Sequence, residues 1–129
     1  MSSVLQGNGR VILIADDSGL QRLVLSRRLQ RLGFTVVTAT EGGDALERMA
    51  AQPPDAVITD MQMEPVGGLE LCRRLKADPR LAHIPVIITS VSDPRSENAA
   101  LAHDAGAADY AVRTADLEPV LVALSRALP

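Results

Sequence analysis

Aromatic side chains are nearly absent from this 129-residue chain, which has no tryptophan, one tyrosine (Tyr110) and one phenylalanine (Phe34). No platform therefore exists on which the bases of a single strand could stack. Positive charge is not in excess either, and the formal net charge of −3 argues against a direct nucleic-acid binder. The single cysteine, Cys72, can form no internal disulfide and reads as a small core side chain in a reducing compartment. No apolar stretch is long enough to span a bilayer, and Met1 to Gly9 lacks the charged, apolar and small blocks of a secretion signal. These absences predict a cytoplasmic protein with no membrane insertion.

What remains is an ordinary globular composition, 47% apolar and 22% charged, at a length that suits one domain. Residues 1–9 are polar and Gly-rich and read as a flexible tail, leaving residues 10–129 as the domain. Val11 to Ala15 is a continuous apolar run, a strand buried on both faces, and Asp16-Asp17-Ser18-Gly19 turns out of it. Leu25, Leu29 and Leu32, with Leu20 and Val24 beside them, mark an amphipathic helix from Leu20 to Leu32 that Gly33 stops. Arg22, Arg27, Arg28 and Arg31 on that helix read as a solvated face, or as a docking surface for an acidic partner.

Phe34 to Thr38 is a second strand, followed by a helix over Asp44 to Ala51 with Ala45, Leu46 and Met49 apolar. Ala56 to Asp60 is the third strand, bounded by Pro53-Pro54-Asp55 and by Pro65, Gly67 and Gly68. A third helix, Leu69 to Ala77, buries Leu71, Cys72 and Leu75 while Arg73, Arg74 and Lys76 face water, and Asp78-Pro79 ends it. Pro85 to Thr89 is the fourth strand, with Ser90 just past its end. A loop with Pro94 leads to a helix from Ser96 to Ala105. Tyr110 to Val112 is a short fifth strand ending at Arg113, and Asp116 caps a last helix that tolerates Pro119 in its first turn. Five alternations of strand and helix with short connections imply an α/β fold, a doubly wound five-stranded parallel sheet with five helices on its two faces.

In such a sheet the crevice beyond the strand ends is where ligands bind. The ends present Asp16-Asp17, Asp60, Ser90 and Arg113. An aspartate often just begins a turn, and it is the second acidic site that separates Asp60 from that reading. Three carboxylates in one crevice repel one another, and a hard divalent ion such as Mg²⁺ relieves the repulsion while keeping room for waters and a phosphate oxygen. A hydroxyl and a guanidinium beside them are donors for an oxyanion. Together they describe phosphoryl transfer onto Asp60. A dinucleotide site would need glycines directly after the first strand, but that corner is acidic and Gly7 and Gly9 precede the strand.

From Arg10 onward the chain resembles the receiver domain of bacterial response regulators, the CheY-like family. The resemblance rests on Asp16-Asp17, on Asp60 followed by Met63 and Gly68, on Pro85 through Ser90, and on Ala105-Gly106-Ala107 leading to Tyr110. It implies the flavodoxin-like strand order 2-1-3-4-5. It also implies that Asp60 accepts a phosphoryl group from a sensor histidine kinase or a histidine phosphotransfer protein. Asp16, Asp17 and Asp60 would hold Mg²⁺ with the backbone carbonyl of Gln62. Ser90 and Tyr110 would be the switch pair, and a downstream output domain or protein, or a second copy of the chain, would read the surface of the fourth helix, fifth strand and last helix. Such a domain has no external substrate, and at most catalyses its own phosphorylation and hydrolysis.

Three departures stand out. The family's Lys-Pro at the end of the fifth strand is Arg113-Thr114, where a trans bond is expected and the cation is expected to aim away from Asp60. Glu64 replaces a proline and adds negative charge. Val91 fills the place, after the switch hydroxyl, of a commonly small residue. Gln62, Glu64 and Val91 are expected to modulate access to Asp60. The departures also support an alternative, a degenerate receiver that acts as a protein interaction module with weak or no phosphorylation.

Overall fold

A computed structural model describes residues 5–91 and 96–129. The loop with Pro94 and the first four residues of the expected tail lie outside them. Five strands alternate with five helices: β1 (Val11–Ala15), α1 (Gly19–Arg31), β2 (Thr35–Ala39), α2 (Gly42–Ala51), β3 (Ala56–Asp60), α3 (Gly68–Ala77), β4 (Val86–Ser90), α4 (Glu97–Asp104), β5 (Asp109–Val112) and α5 (Glu118–Ala127). All strand pairings are parallel, as the strand and helix alternation predicts, in the order β2-β1-β3-β4-β5 that the resemblance implies. No helix among the described residues is long and apolar enough to cross a membrane.

The sheet is buried on both faces because its three inner strands are apolar at successive positions rather than at alternate ones. One face packs Leu13, Val57, Val86 and Ile88 against Ala45 and Met49 of α2, Leu71, Cys72 and Leu75 of α3 and Ala102 of α4. The other packs Ile12, Ile14, Ile58, Ile87 and Ala111 against Leu25 and Leu29 of α1 and Val120, Leu121 and Leu124 of α5. Full burial of each such side chain stabilises by about 1.5–3 kcal/mol, so register is held wherever both faces are filled.

Several local expectations need correction. Leu20 and Val24 do not join the buried stripe of α1; they are 70% and 45% exposed. At about 100° per residue, Leu20 lies about 140° and Val24 about 100° around the helix from Leu25, outside the buried strip of Leu25, Ser26 and Leu29. The arginines of α1 are not uniformly solvated. Arg22 Nη1 donates to the Asp16 carbonyl at 2.6 Å, and Arg28 Nη1 to the Asp116 carbonyl at 3.2 Å.

Lys76 does not face water either, because its ammonium donates to the carbonyls of Ala82 (3.0 Å) and Ile84 (2.6 Å) in the segment entering β4. Ser90 is the last residue of β4 and buried, rather than beyond it. The N-cap position of α5 is Leu117, in left-handed backbone at φ 59°, while Asp116 supplies the capping carboxylate one residue earlier, to the Glu118 amide at 3.0 Å. Within residues 1–9, Gly7 and Gly9 donate their amides to the carbonyls of Leu32 and Gly33.

Candidate phosphoacceptor site

Side chains alternate across a strand, and that alternation builds the site. Ile12, Ile14 and Asp16 follow one another on the sheet face covered by α1 and α5, as do Ile58 and Asp60, and Ala111 and Arg113. Asp60 pairs with Thr89, which pairs in turn with Ala111. The polar positions at the strand ends therefore continue apolar rows of the core. Asp16 and Asp60 emerge side by side at the rim, with Arg113 beside them.

The carboxylates of Asp16, Asp17 and Asp60 each offer an oxygen within 4.8 Å of the others. This donor set, all hard oxygens and with Asp17 open to solvent, is of the kind Mg²⁺ takes. Asp16 is 6% exposed, and its Oδ1 accepts from the Ser18 amide at 2.9 Å. Ser18 in turn caps α1, accepting from the Gln21 amide at 3.2 Å. The turn that aims Asp16 is thus also the start of α1.

Arg113 corrects the expectation that its cation aims away. Its Nη1 lies 3.0 Å from Asp16 Oδ2 and its Nη2 lies 3.4 Å from Asp60 Oδ1, with the side chain only 16% exposed. The Arg113-Thr114 bond is trans, since Glu64-Pro65 is the one cis peptide among the described residues. The backbone holds the aim by other means. The Arg113 amide donates to the Ser90 carbonyl at 2.8 Å, and Thr114 Oγ1 donates to Asp116 Oδ1 at 2.7 Å, closing the turn before α5.

Burial pushes the Asp60 carboxyl above its ordinary range. The Arg113 guanidinium opposes this rise, the Asp16 charge adds to it, the Gln62 amide lowers it and the Asp17 charge raises it. That amide lies 3.5 Å from Asp60 Oδ1. A carboxylate buried beside two others depends on a nearby cation to keep its charge.

Ser90 and Tyr110 sit together on the other sheet face, where Ile88 pairs with Tyr110 and Ser90 with Val112. Tyr110 packs against the α2–α4 core. Glu64 is exposed on the loop after Asp60, and Val91 is 76% exposed just past β4. Sequence reasoning missed Gln21 and Thr89, which with Asp16, Asp60 and Arg113 line the small cleft beneath the acids. Thr89 was detectable as a hydroxyl that shares a parity with Ile87, hence a face with Asp60. Arg22, which buttresses the Asp16 carbonyl, left no such signal.

Comparison with known proteins agrees with this geometry. The sequence profile of the family described as "Response regulator receiver domain" matches residues 12–125. The response regulator MprA of Mycobacterium ulcerans is 38% identical over 110 residues, 85% of this chain and 46% of that protein. The chain thus spans about half the length of the curated relatives it matches. Among solved structures, the chemotaxis response regulator CheY4 of Vibrio cholerae superposes with a TM-score of 0.85 at 26% identity, covering 93% of this chain and 99% of that one. The response regulator TrrA of Thermotoga maritima, solved in complex with Mg(2+)-BeF, gives 0.81 at 26% identity, covering 92% and 99%.

Proposed function

The chain belongs to the response regulator receiver domain family of two-component systems, and from that premise we propose that Asp60 accepts a phosphoryl group from a sensor histidine kinase or histidine phosphotransfer protein. The observation that carries the reading is the convergence of Asp16, Asp17 and Asp60 at one rim of the sheet. Asp16, Asp17, Asp60 and the Gln62 carbonyl would hold Mg²⁺, which when bound supplies positive charge to the phosphoryl oxygens and offsets the repulsion among the acids.

The chain's own residues do the rest. An Asp60 carboxylate oxygen attacks phosphorus and forms an acyl phosphate, while the bond from phosphorus to the donor's nitrogen or oxygen breaks and its electron pair leaves with the donor. Arg113, already in contact with Asp60, favours the ionised nucleophile and then faces the added oxygens.

The added phosphoryl group carries charge and acceptor oxygens. Ser90 turns toward it, and Tyr110, on the same sheet face, follows and changes the surface formed by α4, β5 and α5. A downstream output domain or protein, or a second copy of the chain, reads that surface in the cytoplasm. The only reactions catalysed are the domain's own phosphorylation and hydrolysis. The degenerate-receiver reading drew on Arg113, Thr114 and Glu64; the contact of Arg113 with both Asp16 and Asp60 speaks against the first of these.

Incubation with Mg²⁺ and acetyl phosphate, read by intact mass, tests this. One phosphoryl adduct is expected in the wild type and none in Asp60→Asn. No adduct from acetyl phosphate or from any histidine kinase, or an adduct that survives in Asp60→Asn, overturns the assignment of Asp60.

A further inference from the structure

Arg113 does more than stand near the phosphoacceptor. One guanidinium nitrogen is on Asp16 and the other on Asp60, so the side chain spans two of the three carboxylates that would hold the divalent ion. Its Nε is buried with no hydrogen-bond partner, so the site satisfies only the outer edge of the guanidinium. A buried donor without an acceptor destabilises the arrangement that buries it. A planar fork, unlike an ammonium point charge, can engage two separate carboxylates in one fixed geometry.

We propose that Arg113 is a resident cation which competes with the divalent ion for Asp16 and Asp60, so that ion binding requires the guanidinium to release at least one of them. A doubly charged ion in contact with both acids would sit a few ångströms from the guanidinium carbon, where like charges repel.

The inference rests on the reading of the acid pocket as the magnesium site, and the experiment separates the two. Mg²⁺ is titrated into the whole chain by isothermal calorimetry for wild type, Arg113→Lys and Arg113→Met. In parallel, the guanidinium NH signals of Arg113 are followed by NMR, assigned by their absence in Arg113→Lys.

Without Mg²⁺ the fork should rotate slowly about its Nε–Cζ bond and give resolved Nη protons; with Mg²⁺ these should merge. Arg113→Met should bind Mg²⁺ at least about tenfold tighter, the equivalent of one charge-assisted contact no longer lost on binding, and Arg113→Lys should lie between. Should the Met variant fail to fold, the Lys variant and the wild-type NMR titration still decide. Mg²⁺ binding that leaves the Arg113 signals unchanged, or equal affinity in all folded forms, overturns the competition and leaves the metal site standing. Absence of Mg²⁺ binding in every form overturns both.

Discussion

Replacing Gly68 with alanine tests whether the start of α3 and the end of β3 are locked backbone to backbone. Gly68 is buried as the first residue of α3, and its amide donates to the Met61 carbonyl at 3.0 Å. A Cβ added there would collide with the Asp60 carbonyl oxygen and lie 3.1 Å from both the Asp60 carbonyl carbon and Met61 Cα. None of these atoms is the end of a flexible side chain, so either α3 or the Asp60 peptide must move.

α3 cannot move freely, because Leu71, Cys72 and Leu75 are fully buried. The expected loss is therefore at the upper end of the overpacking range, about 3 kcal/mol, measured by urea unfolding followed by far-ultraviolet circular dichroism. Phosphoryl uptake from acetyl phosphate should fall with it, since the displaced peptide carries Asp60. Gly19→Ala is the control. It places its Cβ no nearer than 3.6 Å from the flexible Arg22 guanidinium and should be neutral or stabilise by up to about 1 kcal/mol. A loss in Gly68→Ala of less than about 0.5 kcal/mol, within the scatter of ordinary surface substitutions, would refute the close approach.

Three further outcomes follow from the structure. Asp60 holds its proton more tightly folded than unfolded, so its contribution to stability is lost as pH rises from about 4, the unfolded carboxylate value, through the raised folded value. In metal-free buffer Asp60→Asn should accordingly match the wild type at acid pH and melt higher near neutrality; a wild type that gains on the variant as pH rises contradicts this. Lys76→Met keeps the aliphatic stem but loses both carbonyl contacts, and should unfold about 2 kcal/mol more easily; an unchanged urea midpoint would return Lys76 to the solvent. Val91→Ala, at the exposed rim beyond Ser90, should speed both phosphoryl entry and hydrolysis in a mass-monitored time course, and identical rates would remove Val91 as an access element.

The strands were legible because Val11–Ala15, Ala56–Ile58 and Val86–Ile88 are unbroken apolar runs rich in Val and Ile. The acids were legible because each stands where such a run stops. What could not be read was decided by tertiary contacts. The aim of Arg113 depends on the Thr114–Asp116 hydrogen bond and on an amide tied to the Ser90 carbonyl, which have no one-dimensional signature. Lys76 has the helical spacing of a solvated lysine, and only the fold brings the segment before β4 under its ammonium. Leu20 and Val24 satisfy the composition of an amphipathic helix, but they sit around α1 from the buried strip of Leu25 and Leu29.

Asp16, Asp60 and Arg113 have the same strand parity as Ile12, Ile14, Ile58 and Ala111, all packed against α1 and α5. A slip of one residue in any of these strands would turn its charged end to the opposite face and bury the wrong side chains along its whole length. The register that fills the α1–α5 core is therefore the same register that brings two carboxylates and a guanidinium into contact. Substitutions at Ile14 or Ile58, which touch no ligand, would reach the chemistry through that shared register. The acid pocket is to this extent a boundary condition of the core, and the electrostatic strain of its three carboxylates is carried by apolar packing below it.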